Sequence, residues 1–316
     1  MPVVATDVAE RLLDSDEPSI RLKVRRDVLG EPVDAEEVRQ SQRVRTLLSE
    51  RERDGTIPQH PYLKWTGAFW VLNLLAELGY PPGDTSLLPL RDQVYGWLLS
   101  DYHDKRWTRP LNGLARIHAS QEGYAIWALL TLRIADRGVE RLVNRLLQTQ
   151  WPDGGWNCDP RATGRTSAFA ESHLALRGLA RYARETGDDA AREGAARAAE
   201  VFLSRRLFRR RGTGKVTQPA HVELHFPCYW NYDVLCGLKI MSEAGFLDDP
   251  RCEDALDLLE SKRLPDGGWP AERRYYGNAT TPAKRTLVHW GGVNRRRLNE
   301  WVTADALAVL AASGRL

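Results

Sequence analysis

The sequence predicts an all-α fold: about twelve helices in six pairs, closed into a ring of two concentric layers. Three observations carry this expectation. The phrase Pro-Asp-Gly-Gly-Trp occurs twice, at residues 152–156 and 265–269. Looser versions of it recur at a spacing of about 50 residues, the mark of an internally repeated architecture. Helix-like segments also alternate along the chain between an amphipathic kind and a kind that is apolar nearly all round.

The repeat can be measured. Asp54-Gly-Thr-Ile57, Asp104-Lys-Arg-Trp107, Asp153-Gly-Gly-Trp156 and Asp266-Gly-Gly-Trp269 lie 50, 49 and 113 residues apart. The last interval is close to twice the others, so a degenerate copy is expected near Gly212-Thr-Gly-Lys215. Each phrase follows one helical segment and precedes another. The preceding segments, 34–53, 86–102, 138–150, 190–207 and 250–263, carry Arg- and Glu-rich faces and should meet solvent. The following segments, 64–78, 120–135, 167–185, 229–244 and 299–312, include runs such as Phe69-Trp-Val-Leu-Asn-Leu-Leu and Tyr124-Ala-Ile-Trp-Ala-Leu-Leu, which argue burial on every side.

An N-terminal pair, 4–13 and 20–29, completes the count, with Ser19 or Asp16 as its cap. No sustained Val/Ile/Thr alternation argues for strands. The whole chain, 1–316, reads as one domain, with 1–30 its least regular part. In this frame the phrase is punctuation. Its glycines allow the left-handed or tight turn that ends a helix, its Asp accepts backbone N–H groups, and its Trp wedges between helix pairs.

Composition narrows the function classes. A net charge of +3, with 45 basic residues against 42 acidic ones, gives no reason to expect nucleic acid. No apolar run approaches the roughly 18 residues of a membrane span. The first residues lack a signal peptide's basic and apolar blocks, and the four cysteines form no CxxC pair, so reduced thiols in a cytoplasm are expected. Oligomeric state is not legible. No G-x-G-x-x-G, P-loop, G-x-S-x-G or H-E-x-x-H is present.

Gln150-x-x-Asp153-Gly-Gly-Trp156 resembles the QW motif of squalene–hopene cyclases, and the phrase is similar to the D/E-G-G-W/F of protein prenyltransferase β-subunits. The resemblance spans most of the chain and implies an (α/α)6 toroid. It also implies a central cavity lined by inner-helix N-termini and the loops before them, here 156–166, 212–227 and 270–298. As a function it implies an enzyme acting on a small apolar, isoprenoid-type molecule. The same toroid serves other chemistries, so a non-catalytic ligand- or protein-binding toroid and a polysaccharide-lyase-like enzyme, using a pair such as His225 and Tyr229, stand as alternatives.

The family motifs transfer only in part. No D-x-D-D is present, and Asp14-Ser-Asp16-Glu17 reads as a helix cap. Asp188-Asp189 does not fit D-D-x-x-D/E, the magnesium motif, and Asp248-Asp249 reads as a turn with N-cap acids. Phe226-Pro-Cys228-Tyr resembles the zinc-binding D-x-C-Y of prenyltransferases, but Phe226 replaces the Asp and Glu300-Trp301 stands where a His is expected. No cofactor is therefore expected. Zinc on Cys228, His225 and Glu300 is the weaker alternative, as is magnesium.

The candidate catalytic groups are acids near the cavity end of inner helices: Asp233 and Asp305, with Glu171 and His173 in support and Glu122 nearby. Burial should raise the pKa of such a carboxyl, which suits a general acid. Trp65, Tyr229, Trp230, Tyr232, Trp290 and Trp301, with His225, are the candidate substrate-binding residues, because aromatic faces stabilise cations. Trp70 and Trp127 read as core. His221-Val-Glu223-Leu-His225 would point three polar groups to one side if extended. Arg205–Arg211 reads as a solvated helix face, and Arg295–Arg297 as the better anion site.

Overall fold

The computed structural model describes residues 3–107, 110–277 and 285–316, with side chains from Asp7 to Lys105 in the first stretch. Part of the 270–298 loop therefore lies outside the described residues. The fold is all-α, built from helix pairs. The strands among the described residues are two of two residues each, Pro110–Leu111 and Leu114–Ala115, which form a small hairpin. By internal packing the chain forms two compact units. The first comprises Met1–Ser49, Glu77–Pro81 and Arg205–Leu316, and the second Glu50–Ala76 and Pro82–Ser204.

In the second unit lie α5 (Ala68–Leu78, up to Ala76), α6 (Leu88–Leu98), α7 (Asp101–Trp107), α8 (Ala119–Thr131), α9 (Arg137–Thr149), α10 (Phe169–Thr186) and α11 (Asp189–Leu203). The alternation of kinds is as expected. Residues 119–130 of α8 are all buried, whereas α9 buries one stripe, Val139, Leu142, Val143 and Leu146, and turns Arg137, Glu140 and Arg141 outward. Helices α8 and α10 approach until their backbones touch. A Cβ on Gly123 would lie 2.3 Å from the Leu174 carbonyl oxygen, and one on Gly178 would lie 2.5 Å from that of Gly123. Glycine at both positions is a packing requirement, and it places the N-terminal turns of the two helices side by side.

The first unit holds α1 (Val3–Leu13), α2 (Pro18–Lys23) with a π-helical turn after it (Val24–Val28), α3 (Glu36–Arg39), α4 (Gln42–Leu48), α12 (Val234–Ala244), α13 (Glu253–Ser261) and α14 (Glu300–Ala312). Glu17, rather than Ser19 or Asp16, caps α2, its carboxylate accepting the Ser19 N–H at 3.2 Å. Asp249 is a helix cap, as read from the sequence, and Asp188 is one too.

The two Gly-Gly-Trp phrases form the same device. Gly154 and Gly267 take positive φ, 99° and 85°, which only glycine adopts without strain. The Trp156 N–H donates to Ser172 Oγ at 3.1 Å, and the Trp269 N–H to Thr303 Oγ1 at 2.9 Å. Each indole donates back to the preceding helix, to Leu146 O at 3.1 Å and to Leu259 O at 2.7 Å. Both Trp side chains are fully buried. Each phrase thus ties the end of an outer helix to the first turn of the next inner one. The Asp54 phrase closes the same turn, with Gly55 N donating to Glu52 O and Glu52 N to Thr56 O. The Gly212 copy is one residue longer, closed by Gly214 N to Arg210 O and Arg210 N to Lys215 O. Asp104 departs from the pattern: it lies inside α7, so that copy is helix and not turn.

Two glycine substitutions test this packing with opposite signs. Gly123→Ala should destabilise by about 1–3 kcal/mol, because neither backbone can give way. Gly96→Ala on α6, where an added Cβ meets nothing within 4 Å, should stabilise by about 0.5–1 kcal/mol through helix propensity. Urea unfolding measures both.

Candidate functional site

In the first unit the expected acids are held by partners. Asp233 is the N-cap of α12 and is fully buried. Its Oδ1 accepts the Cys236 N–H at 2.7 Å, and its Oδ2 accepts the His225 N–H at 2.8 Å and faces His225 Nδ1 at 2.7 Å. Burial pulls His225 down, but the charge and hydrogen bond of Asp233, together with Cys228 and the Glu223 carbonyl, outweigh it and lift the imidazole to about 9. Asp305, on α14, pairs with Lys23 of α2 and with Lys239 of α12 at 3.2 Å, and Lys239 also reaches Glu77 at 2.9 Å. Burial alone would raise this carboxyl. The two ammonium charges override it and hold Asp305 below the usual carboxylate range, which reverses the direction expected from the sequence.

The candidate aromatic residues divide. Trp290 and Trp301 pack with Phe226, whose ring stacks on Trp301 at 4.9 Å, in a buried cluster. Tyr229 is fully buried with φ 51°, and burial pushes its hydroxyl up. The Tyr232 hydroxyl donates to Leu207 O at 2.7 Å, and Trp230 is half-buried. Trp65 lies in the other unit, edge-on to Trp70 at 4.7 Å. Trp70 and Trp127 are buried core.

Of the zinc candidates, Cys228 and His225 come together, but Asp233 and not Glu300 completes the cluster. Glu300 instead accepts from Ser15 Oγ at 3.2 Å. The segment from His221 to His225 is not uniformly extended, because His221 sits in a short 3-10 turn, Pro219–Val222. His221 bonds Thr217, while Glu223 pairs with Arg273 and Arg295. Arg295 therefore already faces a carboxylate. Helix α11 ends at Leu203, so Arg205–Arg211 lies beyond it, and Arg206 and Arg209 pair with Asp254.

The second unit holds a different constellation, on the adjoining first turns of α8 and α10. The Glu171 carboxylate is buried. Its Oε1 faces His118 Nδ1 at 3.1 Å, and its Oε2 accepts from Ser120 N at 3.1 Å and Ser120 Oγ at 2.8 Å. Burial alone would raise Glu171, but hydrogen bonds from His118, Cys158 and Ser120 outweigh it and hold the carboxyl below its ordinary range. His173, two residues along α10, bonds the Phe169 carbonyl at 2.9 Å instead. Glu122, in the first turn of α8, behaves oppositely. Burial pushes it up to about 7, against the pull of Arg145, and the nearby charge of Glu171 adds to the rise. Arg145 Nη1 donates to Glu122 Oε1 at 2.8 Å, while buried Oε2 has no hydrogen-bond partner among the described residues.

Beside Arg145 opens a pocket of about 850 Å³, lined by polar groups including Asp104, Arg141, Asn144, Arg145 and Gln148, with Trp151 at one wall. It is not the deep apolar chamber that an isoprenoid substrate requires. Among the described residues no helix is long and apolar enough to cross a membrane. The sequence reading missed the union of His118, Cys158 and Glu171. The signal was positional: His118 immediately precedes one inner helix, Glu171 begins the next, and Cys158 lies two residues past a phrase Trp.

No family model matches the chain, and no curated protein matches it. Solved structures are similar at a distance. One is UGL with dGlcA-Glc-Rha-Glc, 16% identical, with a TM-score of 0.43 over 97% of this chain and 93% of that one. Another is a wild-type glycosidase, 14% identical, with a TM-score of 0.37 over 90% of this chain and 100% of that one. A third is a glycosyl hydrolase family 88 protein from Bacteroides vulgatus, 13% identical, with a TM-score of 0.32 over 94% of this chain and 74% of that one. The cyclase and prenyltransferase resemblance read from the phrase is not what these names say. None of these likenesses assigns the chain to a family.

The pairing of Asp305 yields a stability test. Asp305→Asn should cost about 3–5 kcal/mol, because it leaves Lys23 buried without its counter-charge. The double variant Lys23→Met/Asp305→Leu should recover most of that loss. Denaturant melts of the three proteins decide it.

Proposed function

We propose that this chain is a carbohydrate-active enzyme that cleaves a glycosidic bond by acid–base chemistry, with its working groups on α8 and α10. The observation that carries the reading is the opposed ionisation of two neighbouring buried carboxyls. Glu122 is raised to about 7 and Glu171 is held low. A pair of titratable groups driven apart by their environments is the usual basis for assigning an acid and its ionised counterpart.

Glu122, about half of it protonated at neutral pH, is the proton donor to the leaving oxygen. Glu171, ionised and fixed by His118 and Ser120, is on the side that activates water. Arg145 links the donor to the polar pocket, because it lines that pocket and also bonds Glu122. An anionic group of the substrate, such as a uronate, would compete for Arg145 and free Glu122 to act. The names of the similar solved structures point the same way, but at that distance they add no weight. The isoprenoid reading is not carried forward, since its candidate acids Asp233 and Asp305 are both engaged in buried ion pairs.

The test is a panel of neutral and uronate-containing oligosaccharides, followed by reducing ends for hydrolysis and by unsaturated-product absorbance for elimination. Glu122→Gln should lower turnover by at least about 100-fold with an unchanged circular dichroism spectrum. The donor must carry its proton, so activity should fall as pH rises through about 7. Wild-type rates in Glu122→Gln, or no cleavage across the panel, would reject the reading.

A further inference from the structure

We propose that His118, Cys158 and Glu171 form a binding site for a divalent ion of zinc type. One nitrogen, one sulfur and one oxygen ligand atom lie within 4.8 Å of one another. A tetrahedral ion with bonds of about 2.0–2.3 Å would set them about 3.3–3.8 Å apart, and the His118 Nδ1 to Glu171 Oε1 separation is already 3.1 Å. Cys158 Sγ lies within 4.8 Å of both of the other ligand atoms. The donor set selects the metal, because a thiolate beside an imidazole suits zinc and disfavours magnesium or calcium.

The surroundings are those of a site and not merely of a satisfied carboxylate. Ser120 holds Glu171 Oε2 through both its N–H and its hydroxyl, which leaves Oε1 turned toward His118. Such an outer bond is the ordinary way to orient a metal ligand. The scaffold is rigid, because all three ligands hang from the α8–α10 contact or from the pinned Trp156 turn. The site is also reachable: the His118 side chain is 27% exposed, and Cys158 is half-buried. That leaves a fourth position for water.

The repeat supplies an internal control. In the second phrase, Ala271 lies two residues past Trp269, where Cys158 lies past Trp156. Val302 directly precedes Thr303, where Glu171 directly precedes Ser172. The phrase and its helix therefore form without a thiol or a carboxylate at these places, so the architecture does not account for them.

Binding balances simply. The Cys158 thiol loses its proton to solvent, His118 offers the Nδ1 lone pair with its proton on Nε2, and Glu171 binds as carboxylate. A catalytic role for the ion rests on the function proposed above. Binding does not.

Cobalt(II) added to chelator-treated protein tests the site directly. One equivalent should produce a thiolate-to-cobalt charge-transfer band and the strong visible bands of a low-coordinate ion, and zinc should displace it. Cys158→Ser should abolish the charge-transfer band. Ser120→Ala should weaken binding by roughly 10–100-fold without unfolding the chain. Cys228→Ser, in the other thiol-containing cluster, should leave the band unchanged. No band at stoichiometric cobalt, or a band that survives Cys158→Ser and is lost with Cys228→Ser, overturns the proposal. Glu122-dependent sugar cleavage without a band would sink the metal site alone. A band with no cleavage would sink the enzymatic reading alone.

Discussion

The turn that pins a buried tryptophan between two helices is the constraint from which the local architecture follows. In both full copies the backbone N–H of the Trp is captured by a hydroxyl one turn into the next helix, while the indole donates to the helix before. A buried N–H without a partner is costly, so each of these bonds fixes where the chain must run. Glycine is demanded twice over, once for positive φ and once because a Cβ on Gly155 or Gly268 would run into Ser172 or Leu298. The loop that leaves Trp156 therefore starts from a fixed point. That is why a residue such as Cys158 can be presented reproducibly to the first turn of α10.

Burial of charge follows two different rules here. In the first unit, Asp305 and Asp233 are neutralised by cations brought from other segments, and the result is structural. In the second, Glu171 collects hydrogen bonds enough to stay ionised, whereas Glu122 receives one Arg and keeps a raised pKa. Burial is common to all four acids, so burial alone cannot assign a role. The number and charge of the partners decide which carboxyl stores a proton at neutral pH.

These partners also mark the limit of what the sequence could say. Helix kind and position were legible, because periodicity and all-round apolarity are local: 120–135 was expected and Ala119–Thr131 is found, and 299–312 became Glu300–Ala312. The turns were legible from Asp-Gly-Gly-Trp, except at Asp104, where Lys105 and Arg106 replace the glycines and the chain stays helical. The pairing of acids was not legible. His118 and Glu171 are separated by 53 residues, and Lys23 and Asp305 by 282. No spacing rule reaches that far. The expectation that a buried acid in an apolar run would be the proton donor was sound in principle. It was attached to Asp233 and Asp305, whereas the buried carboxyl that burial raises is Glu122.

The ion pair between α2 and α14 has a bearing on how the chain is made. Its two halves are separated by 282 residues, so Lys23 leaves the ribosome long before Asp305. The other unit draws every residue from before Arg205, and its helices meet neighbours close in sequence. During translation it is the half able to condense early, leaving its sibling open until Glu300–Ala312 has emerged.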